Sequence, residues 1–428
     1  MKYWRGYLVA AIVAAITWAL DSFAKTHAVL VDMIYPYVSR LVLTTLADWS
    51  GAMAFNLWQI LLLIGIAVVL ITAVLMILFR WNFFQWLGWV LAGVSCVVLL
   101  NTGVYGLNKY ASPLADDIRL EIADYDVDEL NQTAVYFRDK ANELSTTVSR
   151  DSDGQVDIGS FEELAGLAGD GFHALTYDEA ISVFAGSTAP VKKQGWFRAK
   201  GDTGMMIPLT GEAVVNPNVP NAALPFAMAK EMAHRMSIYS EADAAFAAIL
   251  AGMYHSDVRF QYAAYLMAYH YCYQSLLAIP TADAAAFARQ TDSGVTPLMR
   301  SDLETCEKFF GDTLPENHIR QVTVAEPNTY TEPTETTAAA TEGTGATGET
   351  TAATTAPTTV PTTVPTTAPE ETEAPAYFSS YTSITDLLAS WYVQTYIAPL
   401  YEEQEEPFDP FDPTQVDISG IVNAPAES

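Results

Sequence analysis

The stretch MAFNLWQILLLIGIAVVLITAVLMILF, residues 53–79, carries no charged side chain. At 1.5 Å of rise per residue, about 20 residues cross the hydrocarbon core of a bilayer, so this segment is expected to be a transmembrane helix. Two flanking stretches read the same way. One runs from about residue 7 to 24, behind Lys2 and Arg5, and the other from about residue 86 to 104. Ser22-Phe23-Ala24 also fits a signal-peptidase site, but the apolar segments that follow favour an uncleaved anchor. Trp81, Trp86 and Trp89 mark the turn between the second and third spans, where an interfacial aromatic belt belongs. Lys2, Arg5 and Arg80 fall on one side and the first loop has no basic excess. By the positive-inside rule the N-terminus is cytoplasmic, and everything beyond about residue 105 is outside.

Charge is segregated along the chain of 428 residues and net charge −29. Residues 1–110 hold six Lys/Arg and three Asp/Glu, leaving 15 basic and 47 acidic residues downstream. An acidic outer part excludes non-specific nucleic-acid binding, which needs cations to neutralise phosphates. Cys96, Cys272 and Cys306 do not make a disulfide framework; Cys272 with Cys306 is the one pairing open, and free thiols are the simpler expectation.

Residues 331–376 contain 18 Thr, 10 Ala and 6 Pro and no Lys or Arg, with Thr354-Thr355-Ala356-Pro357 followed by three close copies. Such a segment cannot bury enough apolar surface to offset its ordering entropy, so residues 327–376 are expected to form a disordered linker. Within residues 377–428, Ile384, Leu387, Leu388 and Trp391 recur at helical spacing behind Thr382 or Ser383. An isolated helix of that length is marginal in water, so it is expected to dock on the main domain. An acidic Phe/Asp/Pro tail closes the chain.

The span region is taken as residues 1–110 and the outer domain as 111–326. By pattern the outer domain is mainly α. Helices are expected over 129–144 and 177–184, loops or short strands over 195–216, and then a helix opening at Pro225. Ser240 caps the next helix, through Phe246, Ile249 and Leu250. Lys230-Glu231-Met232-Ala233-His234 has the spacing of His-Glu-x-x-His, in which two histidines one turn apart bind zinc and the Glu is general base. Here the first position is lysine. By spacing alone, His234 is equally a core histidine, Asp243 a capping-box residue and Glu231 a face residue. Arg259 is expected to pair with a carboxylate, and Tyr262, Tyr265, Tyr269 and Tyr273 to line helix core.

Over residues 30–280 the chain resembles the domain-of-unknown-function 3810 family of bacterial membrane proteins. The resemblance takes in Tyr35-Pro36, Leu107-Asn108-Lys109-Tyr110, Ala141-Asn142-Glu143-Leu144 and Gly204 through Asn216. It continues in Pro225 through His234, Ser240 through Phe246, and Arg259-Phe260-Gln261-Tyr262. It implies apolar spans followed by a zincin-like helical domain, with a His-Glu-x-x-His motif and then Glu-Asp-Glu-Ala-Asn. Carried over, Glu231 takes the general-base position, His234 the second metal ligand and Asp243 the third. Lys230 stands at the first ligand, and Ala245 replaces the asparagine. Glu212, Arg259 and Tyr262 fall where supporting residues belong.

Lysine binds metal only as the neutral amine, and neutrality at pH 7 against a reference pKa of about 10.4 costs roughly 4–5 kcal/mol. His234 and Asp243 are two ligands where catalytic zinc normally has three. An ammonium set between Glu231 or Glu212 and Asp243 explains Lys230 without metal. His173, His255 or His270 rebuilding the site is the other possibility. The expected protein is a multi-pass cell-membrane protein, its domain and tail extracellular. Its zincin-like centre is expected to be disabled, without cofactor, and kept to bind a polypeptide or cell-envelope component. The alternatives are an active zinc peptidase with altered ligands and a structural surface protein.

Overall fold

The computed structural model describes residues 4–122, 124–176, 183–196, 201–310, 322–323 and 383–398. The expected linker at 327–376, most of the expected helix at 177–184 and the acidic tail from 399 lie outside them. Four helices are long and apolar enough to cross a membrane: α1 (Arg5–Thr26), α2 (Ala28–Gly51), α3 (Leu57–Leu78) and α4 (Phe83–Val104). Three match the expected spans. The fourth, α2, corrects the reading of residues 25–52 as a loop. Asp32, Arg40 and Asp48 thin out its hydropathy, and Pro36 removes one backbone donor without ending the helix.

Side-chain size decides how α1 and α4 meet. A methyl group on Gly6 would collide with the backbone of Gly88, so the two helices cross at the contact that only small residues permit. At the turn before α4, Asn82 caps the helix by accepting from Gln85 N at 3.2 Å. A 3-10 turn, Gly106–Tyr110, then leads into the domain.

The domain is built on helices. The short α5 (Leu114–Asp117) is followed by strand β1 (Tyr125–Asp126) and by α6 (Val127–Thr147), which opens on a capping box between Asp126 and Glu129. Next come α7 (Phe161–Leu167), α8 (Asp170–Leu175), and strands β2 (Lys192–Lys193), β3 (Gly204–Ile207) and β4 (Glu212–Val215). They form a three-stranded sheet of order β2-β4-β3, in which β3 is an antiparallel edge strand. Helices α9 (Leu224–Arg235), α10 (Glu241–Met253) and α11 (Val258–Ala278) form the centre, with α12 (Ala282–Ser293) and α13 (Pro297–Phe310) outside them. Strand β5 (Val322–Thr323) pairs in parallel with β1.

Helix α10 is alanine-rich, and Ala244, Ala245, Ala247, Ala248 and Ala251 are all buried. Small side chains let α9 and α11 approach it closely on both sides. The tail returns as α14 (Ile384–Tyr392), capped by Ser383, with Leu387 and Leu388 fully buried in the same core. Tyr125 Oη donates to Asp386 at 2.8 Å, so the helix docks through a directed polar contact as well as apolar area. All three cysteines are free; Cys272 and Cys306 are buried, and burial raises both thiols well above their ordinary range.

Candidate functional site

Helices α9 and α10 are joined by a turn of five residues in which Ser237 adopts a left-handed backbone (φ 73°). So tight a turn folds the N-terminus of α10 against the last turn of α9. Lys230, Glu231 and His234 come from one face of α9, and Glu241 from the first turn of α10. Lys230 Nζ lies 2.8 Å from Glu241 Oε2 and 3.2 Å from Glu231 Oε1. Glu241 Oε1 lies 3.3 Å from His234 Nε2. His234 Nδ1 is 2.8 Å from the Ile238 carbonyl, so Nδ1 carries a proton and donates it there, turning Nε2 toward the cluster. Tyr105, the residue that follows α4, approaches the same Nδ1 at 3.3 Å and donates to Ile238 O at 3.0 Å.

The electrostatics follow from burial. Glu231 is 1% exposed and His234 6%, whereas the Glu241 side chain stands at the rim. Burial opposes the Lys230 charge, but the carboxylates of Glu231 and Glu241 outweigh it and hold the ammonium above its ordinary pKa. Burial likewise raises the Glu241 carboxyl, yet His234 and Lys230 together bring it well below the usual range. Lys230 is therefore a fixed cation at neutral pH. Glu231 Oε1 and His234 Nε2 make no hydrogen bond. They are held near charge, not bonded to it.

Edge strand β3 runs beside this cluster. A methyl group on Gly204 would sit 3.0 Å from Glu231 Cγ and still closer to Val214 O, so glycine is what allows strand and helix to meet.

The structure brings together Lys230, Glu231 and His234 and adds Glu241, to which the sequence assigned no role at the site. The missed signal was the tight helical hairpin: an acid in the first turn of its second helix returns to the last turn of the first. Asp243 goes elsewhere. It accepts from Leu114 N at 3.3 Å and lines a polar cavity of about 420 Å³ with Asp32, Arg40 and Asp117. Burial, with Asp117 and Asp116 nearby, pushes its carboxyl up to about 7 against the lowering bond from Leu114.

Glu212 also lies apart from the cluster. It caps α3, accepting from Leu57 N and Trp58 N at 2.8 Å each, and pairs with Lys192 at 2.8 Å. Arg259 binds Asp257 at 2.6 Å and Glu163 at 3.4 Å, and Tyr262 donates to Asp302 at 2.5 Å. His255 is engaged with Leu167 O at 3.0 Å and Asp257 N at 2.8 Å, while His270 is buried with its pKa lowered to about 4 by that burial. His173 is exposed, on α8.

Among the described residues no three His, Cys, Asp or Glu side chains converge to hold a metal ion. The cluster offers two donors, His234 Nε2 and a Glu241 oxygen, beside an ammonium group. That set does not fit a catalytic zinc with three protein ligands.

A family model described as a protein of unknown function (DUF3810) matches residues 31–330. No curated protein and no solved structure matches the chain.

Proposed function

The chain belongs to the DUF3810 family, and from that premise we propose that it is a membrane-anchored, zincin-like binding module whose catalytic centre is disabled. The observation that carries this reading is the Lys230 ion pair. At the position where a His-Glu-x-x-His motif places its first metal ligand, an ammonium is bound to Glu241 at 2.8 Å. A protonated lysine has no lone pair for a metal and repels one from the same place. The chain's own cation takes the place that a metal would need.

Binding is supported by what lies beside the cluster. Among the described residues edge strand β3 is paired only with β4, which leaves its other side without a strand partner there. An extended polypeptide adds to such an edge through main-chain hydrogen bonds. The ligand class proposed is thus an extended segment of a membrane or cell-envelope protein.

The same reading sets the topology. Helices α1, α3 and α4 cross the bilayer, the N-terminus is cytoplasmic, and domain and tail are outside. The domain holds the start of α3 through Glu212 and the end of α4 through Tyr105, which puts those two helix ends on its side of the membrane.

The test is elemental analysis of the full chain in detergent beside Lys230→His. The natural protein is expected to be empty, and the variant, with His234 and Glu241 in reach, to hold one zinc. One zinc per natural chain would overturn the reading in favour of an active peptidase. Zinc in neither would remove the zincin geometry from it.

A further inference from the structure

Helix α2 is as long as a transmembrane helix, yet its three charged side chains all bind the folded domain. Asp32 accepts from Ser112 N at 2.8 Å and Ser112 Oγ at 2.6 Å. Arg40 Nε donates to Met236 O at 3.1 Å, and Ser187 Oγ donates to Asp48 at 2.5 Å. The three residues follow one another at intervals of eight positions and span roughly 24 Å of helix axis. All three bind the same folded domain. Just beyond α2, Asn56 Nδ2 donates to Lys193 O at 2.8 Å, again in that domain. A helix that crossed the bilayer would carry its far end away from the domain, and α2 does not.

The middle of α2 lies across the end of α4. Tyr35 Oη donates to Thr102 O and Gly103 O, both at 3.1 Å, and Ser39 Oγ donates to Val104 O at 2.7 Å. These are carbonyls of the last turn of α4, which a membrane-spanning helix leaves at the bilayer surface. So α2 passes over that surface from the exit of α1 to the start of α3.

Much of the open surface of α2 is apolar. Met33, Ile34, Tyr37, Leu41 and Trp49 recur along it, with Met33 67% and Leu41 68% exposed. A soluble surface rarely leaves such a stripe uncovered. We propose that α2 lies in the plane of the outer membrane interface and that lipid covers this face. The occupant follows from continuity: α2 begins one residue after α1 ends and is bonded to the end of α4, and both are membrane helices. Tyr37 and Trp49 suit the headgroup level, where amphipathic rings concentrate. The domain is thereby seated on the bilayer, and the Lys230 cluster, joined to α4 by Tyr105, lies just above the lipid.

This inference rests on the three-crossing topology proposed above, and the experiment separates the two. The full chain, with Cys96→Ser and the buried Cys272 and Cys306 retained, is reconstituted in phosphatidylcholine–phosphatidylglycerol vesicles. Single cysteines replacing Met33, Leu41 or Trp49 are spin-labelled, and depth is read from oxygen and nickel-chelate collisions. The expected result is one shared depth, about 5–10 Å into the interface. Depths differing by up to roughly 24 Å would mean that α2 spans the bilayer. Labels open to water would mean that lipid does not cover it. Either outcome overturns the proposal. A separate cysteine at Ser428 reads the side of the tail relative to the N-terminus. Opposite sides with water-exposed α2 labels would retain the topology and sink only the in-plane helix.

Discussion

Two buried glutamates, Glu212 and Glu231, stand 2% and 1% exposed in the same domain, and their surroundings differ in kind. Glu212 divides its oxygens among two backbone N–H groups of α3, the Thr210 hydroxyl and Lys192. Every partner is fixed, and the group fastens a membrane helix to the sheet. Glu231 has one charged neighbour, Lys230, and its Oε1 makes no hydrogen bond. A buried carboxylate whose bonding is complete does structural work, whereas one left partly unsatisfied is costly to keep. The contrast separates a joint from a site without any appeal to motif.

The sharpest way to break this contrast is Glu212→Ala. It leaves the first N–H groups of α3 uncapped and Lys192, whose side chain is 15% exposed, without its carboxylate. Removing one partner of a buried pair costs about 3–5 kcal/mol. Urea unfolding in detergent should show a loss of that size, since the joint holds domain and membrane helix together. A loss below 1 kcal/mol would mean that Glu212 is no more structural than Glu231.

A second test concerns Asp243, to which the family resemblance gave a metal-ligand place and which lines the polar cavity. Its folded pKa of about 7 lies above the ordinary value of 3.8. A carboxyl raised on folding contributes stability when protonated, fully present below its unfolded pKa and lost as pH rises through the folded value. The window is therefore pH 4 to 7, and the change across it is at most about 4 kcal/mol. Asp243→Asn should flatten the stability–pH curve over that window. Glu241, held low, runs the other way and loses its contribution only as pH falls below the usual carboxylate range. A variant curve as steep as the natural one would place the pH dependence elsewhere.

What could be read from the sequence follows the same division. Helix α3 was legible because a continuous apolar run has one meaning, and α14 because Ile384, Leu387 and Leu388 repeat at helical spacing behind a cap. The α9–α10 hairpin was legible through Pro225 and Ser240. Helix α2 was not, since Asp32, Arg40 and Asp48 read as loop charges until their partners, 80 to 196 residues away, are seen. For the site, spacing gave Lys230, Glu231 and His234, because one helical face is a local property. Glu241 and Asp243 lie two positions apart in the first turn of α10, and only the hairpin geometry decides which of them meets His234.

The smallest expected effect sharpens the comparison most. Tyr105, like Glu212, ties the membrane region to the domain, but it does so through one hydroxyl that donates to Ile238 O at 3.0 Å and lies 3.3 Å from His234 Nδ1. Those two positions also hold each other, since His234 Nδ1 donates to Ile238 O at 2.8 Å. In Tyr105→Phe that bond remains, so no buried atom is newly orphaned, and the loss should be near the net value of one hydrogen bond, about 1 kcal/mol. Urea unfolding beside Glu212→Ala measures the ratio directly. A loss as large as that of Glu212→Ala would mean that the tie to α4 carries the joint. The Lys230 cluster would then belong to the domain's attachment, and its partly unsatisfied atoms would need a structural explanation in place of a ligand.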